Sequence, residues 1–187
     1  MNKGLMVILV ALMIMPATAQ TKINGIVMPN VMKVNGKYLK LNGGGVREKM
    51  FLDLYVGALY LESKTSDANK IINDDKPMAI KLRIISGMVN KDNMEEAIRE
   101  GFEKSTKNKT EALKTRINQL INKGFSSEIV KGDVFDITYE PGIGVKLLKN
   151  NKLLTTIKGL DFKKALFGIW LCDKPADASL KAKMLGK

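Results

Sequence analysis

"LNGGGVREKMFLDLYVGALYLE", residues 41–62, sets three consecutive glycines and Arg47 ahead of a long apolar run. From Met50 to Leu61 the run is rich in Leu, Tyr, Val and Phe and lacks helical periodicity, so it predicts a long central strand. The glycines before it read as a flexible turn. A guanidinium therefore stands where a turn meets a buried strand. On an ideal strand Phe51, Asp53, Tyr55, Gly57, Leu59 and Leu61 share one face, and Leu52, Leu54, Val56, Ala58 and Tyr60 share the other. Arg47 has the parity of Tyr55, which is compatible with one shared site. Asp53 intrudes on that face, where it either pairs with Arg47 as a buried ion pair or marks a bulge.

Working outward, "KINGIVMP" (22–29) and "GKYLKLNG" (36–43) read as short strands, "TSDANKIIND" (65–74) as a short helix and "MAIKLRII" (78–85) as a further strand. From Asp92 the period changes. Asp92 with Glu95 forms a capping box, and Met94, Ala97, Ile98 and Phe102 follow at helical spacing. A second helix starts at Thr110, carries Leu113, Ile117, Leu120 and Ile121 on one face and stops at Gly124. "DVFDITYE", the turn "PGIG", "VKLLK", the Asn150-Asn151 turn and "KLLTTIKG" read as an antiparallel meander. Asp161 then caps "FKKALFGIWL", Asp177 caps "ASLKAKML", and Pro175 separates the two. Such an order gives an α+β fold, an antiparallel sheet with helices packed on one face, in one domain from 20 to 187.

Residues 1–19, "MNKGLMVILVALMIMPATA", carry an early lysine, an apolar stretch from Leu5 to Met15 and the small-residue end Ala17-Thr18-Ala19. They read as a signal peptide, since the stretch is shorter than the roughly 20 residues a spanning helix needs. The expected location is periplasmic or secreted. Cys172 is the only cysteine, so no internal disulfide forms, and it reads as a small buried apolar residue beside Trp170. The formal charge of +12 becomes +11 without Lys3. These charges are scattered, and no nucleic-acid motif accompanies them. They fit a solvated surface that tolerates weak contact with an anionic membrane, and no nucleic-acid partner is expected.

Histidine is absent, which removes Ser-His-Asp and Cys-His chemistry and the usual zinc ligand sets. No metal, cofactor or dedicated catalytic group is expected. Met94, Met184 and Trp170 read as core. Arg83 and Arg99 read as surface or ion-paired residues, with Arg83 alternatively lining a cleft.

The opening stretch resembles the hallmark segment of the chalcone isomerase-like superfamily, a Gly-rich turn and arginine before a strand ending in Val-Tyr-Leu-Glu type sequence. "DNMEEAIREGF" (92–102), "PGIGVKLLKNNKLLTTIKG" (141–159) and "DFKKALFGIWLCDKPADASLK" (161–181) agree in order. The resemblance implies an open-faced β-sandwich and two kinds of function. In the isomerases an arginine steers a phenolate nucleophile with help from a threonine, a tyrosine and an asparagine. Arg47 matches the arginine, but the helper positions fall at Tyr55, Asn93 and Glu100. In the fatty-acid-binding relatives the same arginine and a tyrosine on the same strand hold a carboxylate at the mouth of an apolar cleft, and Arg47 and Tyr55 match both. The expected function is thus binding of a fatty acid or similar small amphipathic carboxylate. One rival is an isomerase or intramolecular lyase acting on a phenolic or enone substrate, with Arg47 as electrostatic catalyst and Tyr55 as acid or base. Another is a partner-binding module with a vestigial cleft. For export, the expected outcome is a mature chain beginning at Gln20 outside the cytoplasm; N-terminal sequencing that finds Met1 or Asn2 on mature protein refutes it.

Overall fold

Short apolar-polar alternations joined by Asn-Gly and Asn-Asn pairs force the chain into successive antiparallel hairpins, because those pairs tolerate the left-handed backbone of a two-residue turn. The computed structural model describes residues 20–187, so the leader expected at 1–19 lies outside the described residues. Strands β1 (Gln20–Ile23) and β2 (Ile26–Pro29) form a separate hairpin. Seven more strands make one sheet: β3 (Val31–Val34), β4 (Lys37–Lys49), β5 (Leu52–Leu61), β6 (Met78–Ile84), β7 (Val134–Glu140), β8 (Gly144–Lys149) and β9 (Lys152–Ile157). They lie side by side in chain order, each pair antiparallel. Between β5 and β6 the chain forms α1 (Ala68–Asn73), and between β6 and β7 it forms α2 (Lys91–Thr106) and α3 (Lys114–Gly124). After β9 come α4 (Leu160–Leu171) and α5 (Ala178–Met184). None of these helices is long and apolar enough to cross a membrane.

The expected α+β class holds: the helices collect on one face of a curled antiparallel sheet. There α2 packs along α4, α3 lies on β8 and β9, and α5 lies on β4 and β5. Close approach of α2 and α4 follows from Gly101 and Gly168, where a Cβ would run into Ile169 and Ser105 respectively. The main core fills this interface, with Leu59, Ile80, Phe102, Phe135, Phe162, Phe167 and Trp170 among its members. A smaller core of Met28, Leu39, Leu41, Val56, Ala58 and Tyr60 lies on the opposite face under the β1–β2 hairpin. Parity along β5 thus reads correctly from Tyr55 onward.

Several caps differ from expectation. Helix α2 starts before Asp92, and its capping box is Asn90 with Asn93, each side chain accepting from the other's backbone N–H at 3.0 Å. Thr110 opens a short 3₁₀ turn, Glu111–Leu113, and α3 follows it. Gly159 precedes α4, and Asp161 instead accepts from Arg116 Nη1 at 2.8 Å. Asp177 does cap α5, accepting from Leu180 N at 2.8 Å. Cys172 is half-buried at the end of α4. One buried cation helps to bind α1 to α4: Lys163 is fully buried and donates to the carbonyls of Ile71, Ile72 and Asp74 at 2.7 to 2.9 Å. Burial pushes its pKa down to about 8, while the three carbonyls at the end of α1 take up its N–H groups.

The glycine run is the main departure, because Gly43, Gly44 and Gly45 lie inside β4. Their small size is needed for approach. A Cβ on Gly43 would press into the Lys183 carbonyl and sit 3.0 Å from that of Met184, and one on Gly45 would sit 2.6 Å from Lys183 Cδ. Helix α5 therefore rests directly on strand backbone. Gly43→Ala should destabilise the fold by about 1–3 kcal/mol or more, whereas Gly87→Ala, with nothing within 4 Å of its Cβ, should stay near neutral. Urea melts of both variants check this; equal effects would reject the close-approach account.

Candidate functional site

Arg47 and Tyr55 are direct cross-strand partners in the β4–β5 pair, so both side chains leave the helix-covered face of the sheet. The next pair toward the turn is Glu48 with Asp53, which leaves Leu54 as the extra residue of a β-bulge. Amides of Ile85 and Ser86 both donate to the Leu54 carbonyl, at 3.1 and 3.2 Å. The bulge explains the awkward Asp53. It turns Leu54 toward the helices and Asp53 away, where Asn24 donates to the carboxylate at 2.9 Å. Of the two expectations for Asp53, the bulge is observed and the ion pair with Arg47 is not.

Tyr55 is buried and Arg47 half-buried. The Arg47 guanidinium lies over the Tyr55 ring, 5.6 Å from its centroid, a favourable cation–π arrangement. Among the described residues it has no salt bridge, and its Nε is buried without a hydrogen-bond partner. Sequence reasoning missed one neighbour: Trp170 Nε1 donates to the Tyr55 hydroxyl at 2.9 Å. No sequence signal links these two, since α4 delivers Trp170 from 115 residues away. The bond fixes the phenol and leaves its own proton to donate.

Both side chains line a cleft of about 210 Å³ whose other walls are largely apolar: Leu52, Leu54, Met88, Val89, Met94 and Ala97 among them. Beyond Met94 lies a second, wholly apolar hollow of about 30 Å³, bounded by Phe135, Leu147 and Trp170. Met94, a flexible side chain, lines both spaces. At the rim, Lys104 holds the Glu100 carboxyl below the usual carboxylate range, mainly by its hydrogen bond, against burial and with smaller help from the charges of Lys49 and Arg47. Glu100 is thus matched by Lys104 at 2.6 Å, and with Glu48 set between Arg47 and Lys49 the rim keeps an excess of one positive charge.

The helper positions are occupied by structural work. Asn93 completes the α2 cap and donates to the Met88 carbonyl at 2.6 Å, Glu100 pairs with Lys104, and Tyr55 receives Trp170. Arg83 is exposed on the far face of the sheet, away from the cleft. Arg99 binds Glu95 at 2.9 and 3.0 Å and Asn118 at 3.1 Å.

A family model described as chalcone isomerase-like matches residues 20–186. The crystal structure of the fatty-acid binding protein AtFAP1 of Arabidopsis thaliana superposes with a TM-score of 0.67 at 16% identity, over 91% of this chain and 94% of that one. No curated protein sequence matches this chain. Because Arg47 strands no acid when removed, Arg47→Leu should change stability by less than about 1 kcal/mol, against the roughly 3–5 kcal/mol expected of a broken buried pair. A thermal or urea melt reads the difference, and a large loss would restore the ion-pair account.

Proposed function

The chain belongs to the chalcone isomerase-like family, and from that premise we propose that it binds a fatty acid or similar amphipathic carboxylate without transforming it. The observation that carries this reading is the half-buried guanidinium of Arg47, without an acid partner, at the mouth of an apolar cleft. A carboxylate supplies what the guanidinium lacks, two coplanar acceptors of opposite charge. The head sits on Arg47 with the Tyr55 hydroxyl as a further donor, and the tail runs along Leu54 and Val89 toward Met94. A longer tail enters the core when Met94 swings aside. Support also comes from the likeness of the fold to a fatty-acid binding protein. The isomerase reading lacks comparable support, since Asn93 and Glu100 are already engaged. Export and a periplasmic or secreted location remain part of the proposal, resting on the leader sequence.

Titration of decanoate and decanol separates head from tail. Each buried methylene contributes about 0.8 kcal/mol to either ligand, whereas only the acid gains hydrogen bonds to a charged group, worth about 1.5–3 kcal/mol net. Decanoate should bind clearly more tightly than decanol. Arg47→Leu should weaken decanoate about ten-fold or more and leave decanol nearly unchanged. Tyr55→Phe should cost decanoate less, and a melt of the same variant accounts for the Trp170 N–H it strands. Equal losses for acid and alcohol, or no binding of either, would sink the carboxylate site.

A further inference from the structure

Among the described residues, four two-residue turns that join hairpin strands place both residues at positive φ. Three are Asn24-Gly25, Asn35-Gly36 and Asn150-Asn151, residue types that tolerate that conformation. The fourth, between β4 and β5, is Met50-Phe51, at φ of 52° and 64°. Neither side chain has the short polar group that eases a left-handed backbone. Burial does not compensate, since Met50 is 82% exposed and Phe51 98%. Leu52, the next residue, and Met88, on the β6–α2 loop, are exposed beside them. A strained backbone thus displays its most apolar side chains to water, at the one such turn that borders the cleft.

What covers this tip follows from its shape, charge and position. It is convex, two residues standing beyond the last cross-strand pair, Lys49 with Leu52, and so suits a yielding medium better than a rigid groove. Lys49 adjoins it in the chain, and Lys91 opens α2 two residues after the cleft-lining Val89; both are exposed and without salt bridges among the described residues. The adjacent acids are Glu48, Asp92 and Asp53, the last of them held by Asn24. Residues 20–187 carry a formal net charge of +11, the +12 of the full chain less Lys3. Lys49 and Lys91 stand against Glu48, Asp92 and Asp53, so attraction to an anionic bilayer comes from the basic molecule as a whole, while the apolar knob supplies insertion at the headgroup–acyl boundary. Met50, Leu52 and Met88 belong to both the tip and the cleft wall, so a surface that receives the tip also meets the cleft mouth.

We infer that the Met50-Phe51 turn is a membrane-docking element that inserts into the surface of an anionic lipid bilayer and sets the cleft mouth against it. An amphiphile then passes between bilayer and cleft without crossing open water. The docking stands on the tip alone, whereas the passage rests on the carboxylate-binding reading above.

The test uses residues 20–187, which hold both cores, and co-sedimentation with phosphatidylcholine vesicles, with and without phosphatidylglycerol. The protein should bind the anionic vesicles, bind the zwitterionic ones more weakly and lose affinity as salt is raised. Phe51→Gly supplies a residue suited to the turn and removes the apolar tip, and Phe51 does not line the cleft. It should weaken vesicle binding about ten-fold or more, keep or raise the melting temperature and leave decanoate titration in solution unchanged. Phe51→Trp should retain vesicle binding and shift its emission to the blue on contact. Equal vesicle binding by Phe51→Gly and the parent, or none by the parent, overturns the docking. A parent dimer abolished by Phe51→Gly, with no vesicle binding, overturns it in favour of a second copy as occupant. Vesicle binding that depends on Phe51, without any decanoate binding, upholds the docking and rejects the carboxylate reading.

Discussion

The contact of α5 with the bare backbone of β4 is the constraint on which the rest of the structure depends. It works only because Gly43 and Gly45 lack side chains, and polar bonds hold it at both ends. Asn42 donates to the Met184 carbonyl at 2.7 Å, and the Asp177 carboxylate accepts from the Glu48 amide at 3.1 Å. The strand between these points is held against the helix. Arg47 leaves it from a fixed position, opposite Tyr55 and above the cleft. A helix that contributes little to the cleft wall thereby decides where the guanidinium sits.

That guanidinium stands apart from the other cations this fold draws out of water. Lys163 is buried and has three carbonyl acceptors, Lys81 has Asp136 at 2.5 Å, and Lys149 has Asp133 at 2.8 Å. Arg47 has the Tyr55 ring, an attraction of about 0.5–2 kcal/mol, set against a buried Nε whose missing partner costs about 1–3 kcal/mol. The two nearly balance. The site is therefore tolerable to the fold, yet it has more to gain from an arriving anion than any other buried cation here, because their acceptors are already in place.

Most of the fold was legible because burial imposes period. The apolar run of β5, the helical spacing in α2 and α3, the Asn150-Asn151 turn and the Asp177 cap each carry their cause within a few residues. The family resemblance pointed to the candidate pair, whereas parity along a single strand does not carry across the Met50-Phe51 turn: Arg47 lies on β4 and meets Tyr55 of β5 as a cross-strand partner. What escaped reading has its cause far away in the chain. Three glycines signal a turn or a close approach equally well, and the helix that decides between them lies about 140 residues further on. The bulge at Leu54 is fixed by two amides of the β6–α2 loop, and the Trp170 bond by α4. Asn90 and Asn93 escape a reading of the sequence because Asp92 and Glu95 offer an equally plausible cap two residues along.

The span between Asn42 and Met184, 142 residues, also orders events in time. Sheet pairing in this molecule follows strand order, so the tight hairpins can close as soon as their second strand exists, at low entropic cost, and only β6 with β7 waits for a long insertion, that of α2 and α3. The latch of α5 on β4 has no such shortcut. As the chain emerges from its N-terminal end, β4 and β5 must wait with their glycine seam uncovered until nearly everything else has emerged. The long-range contact that places Arg47 is thus among the last to form, and the nascent chain holds no completed site while most of it is still being made.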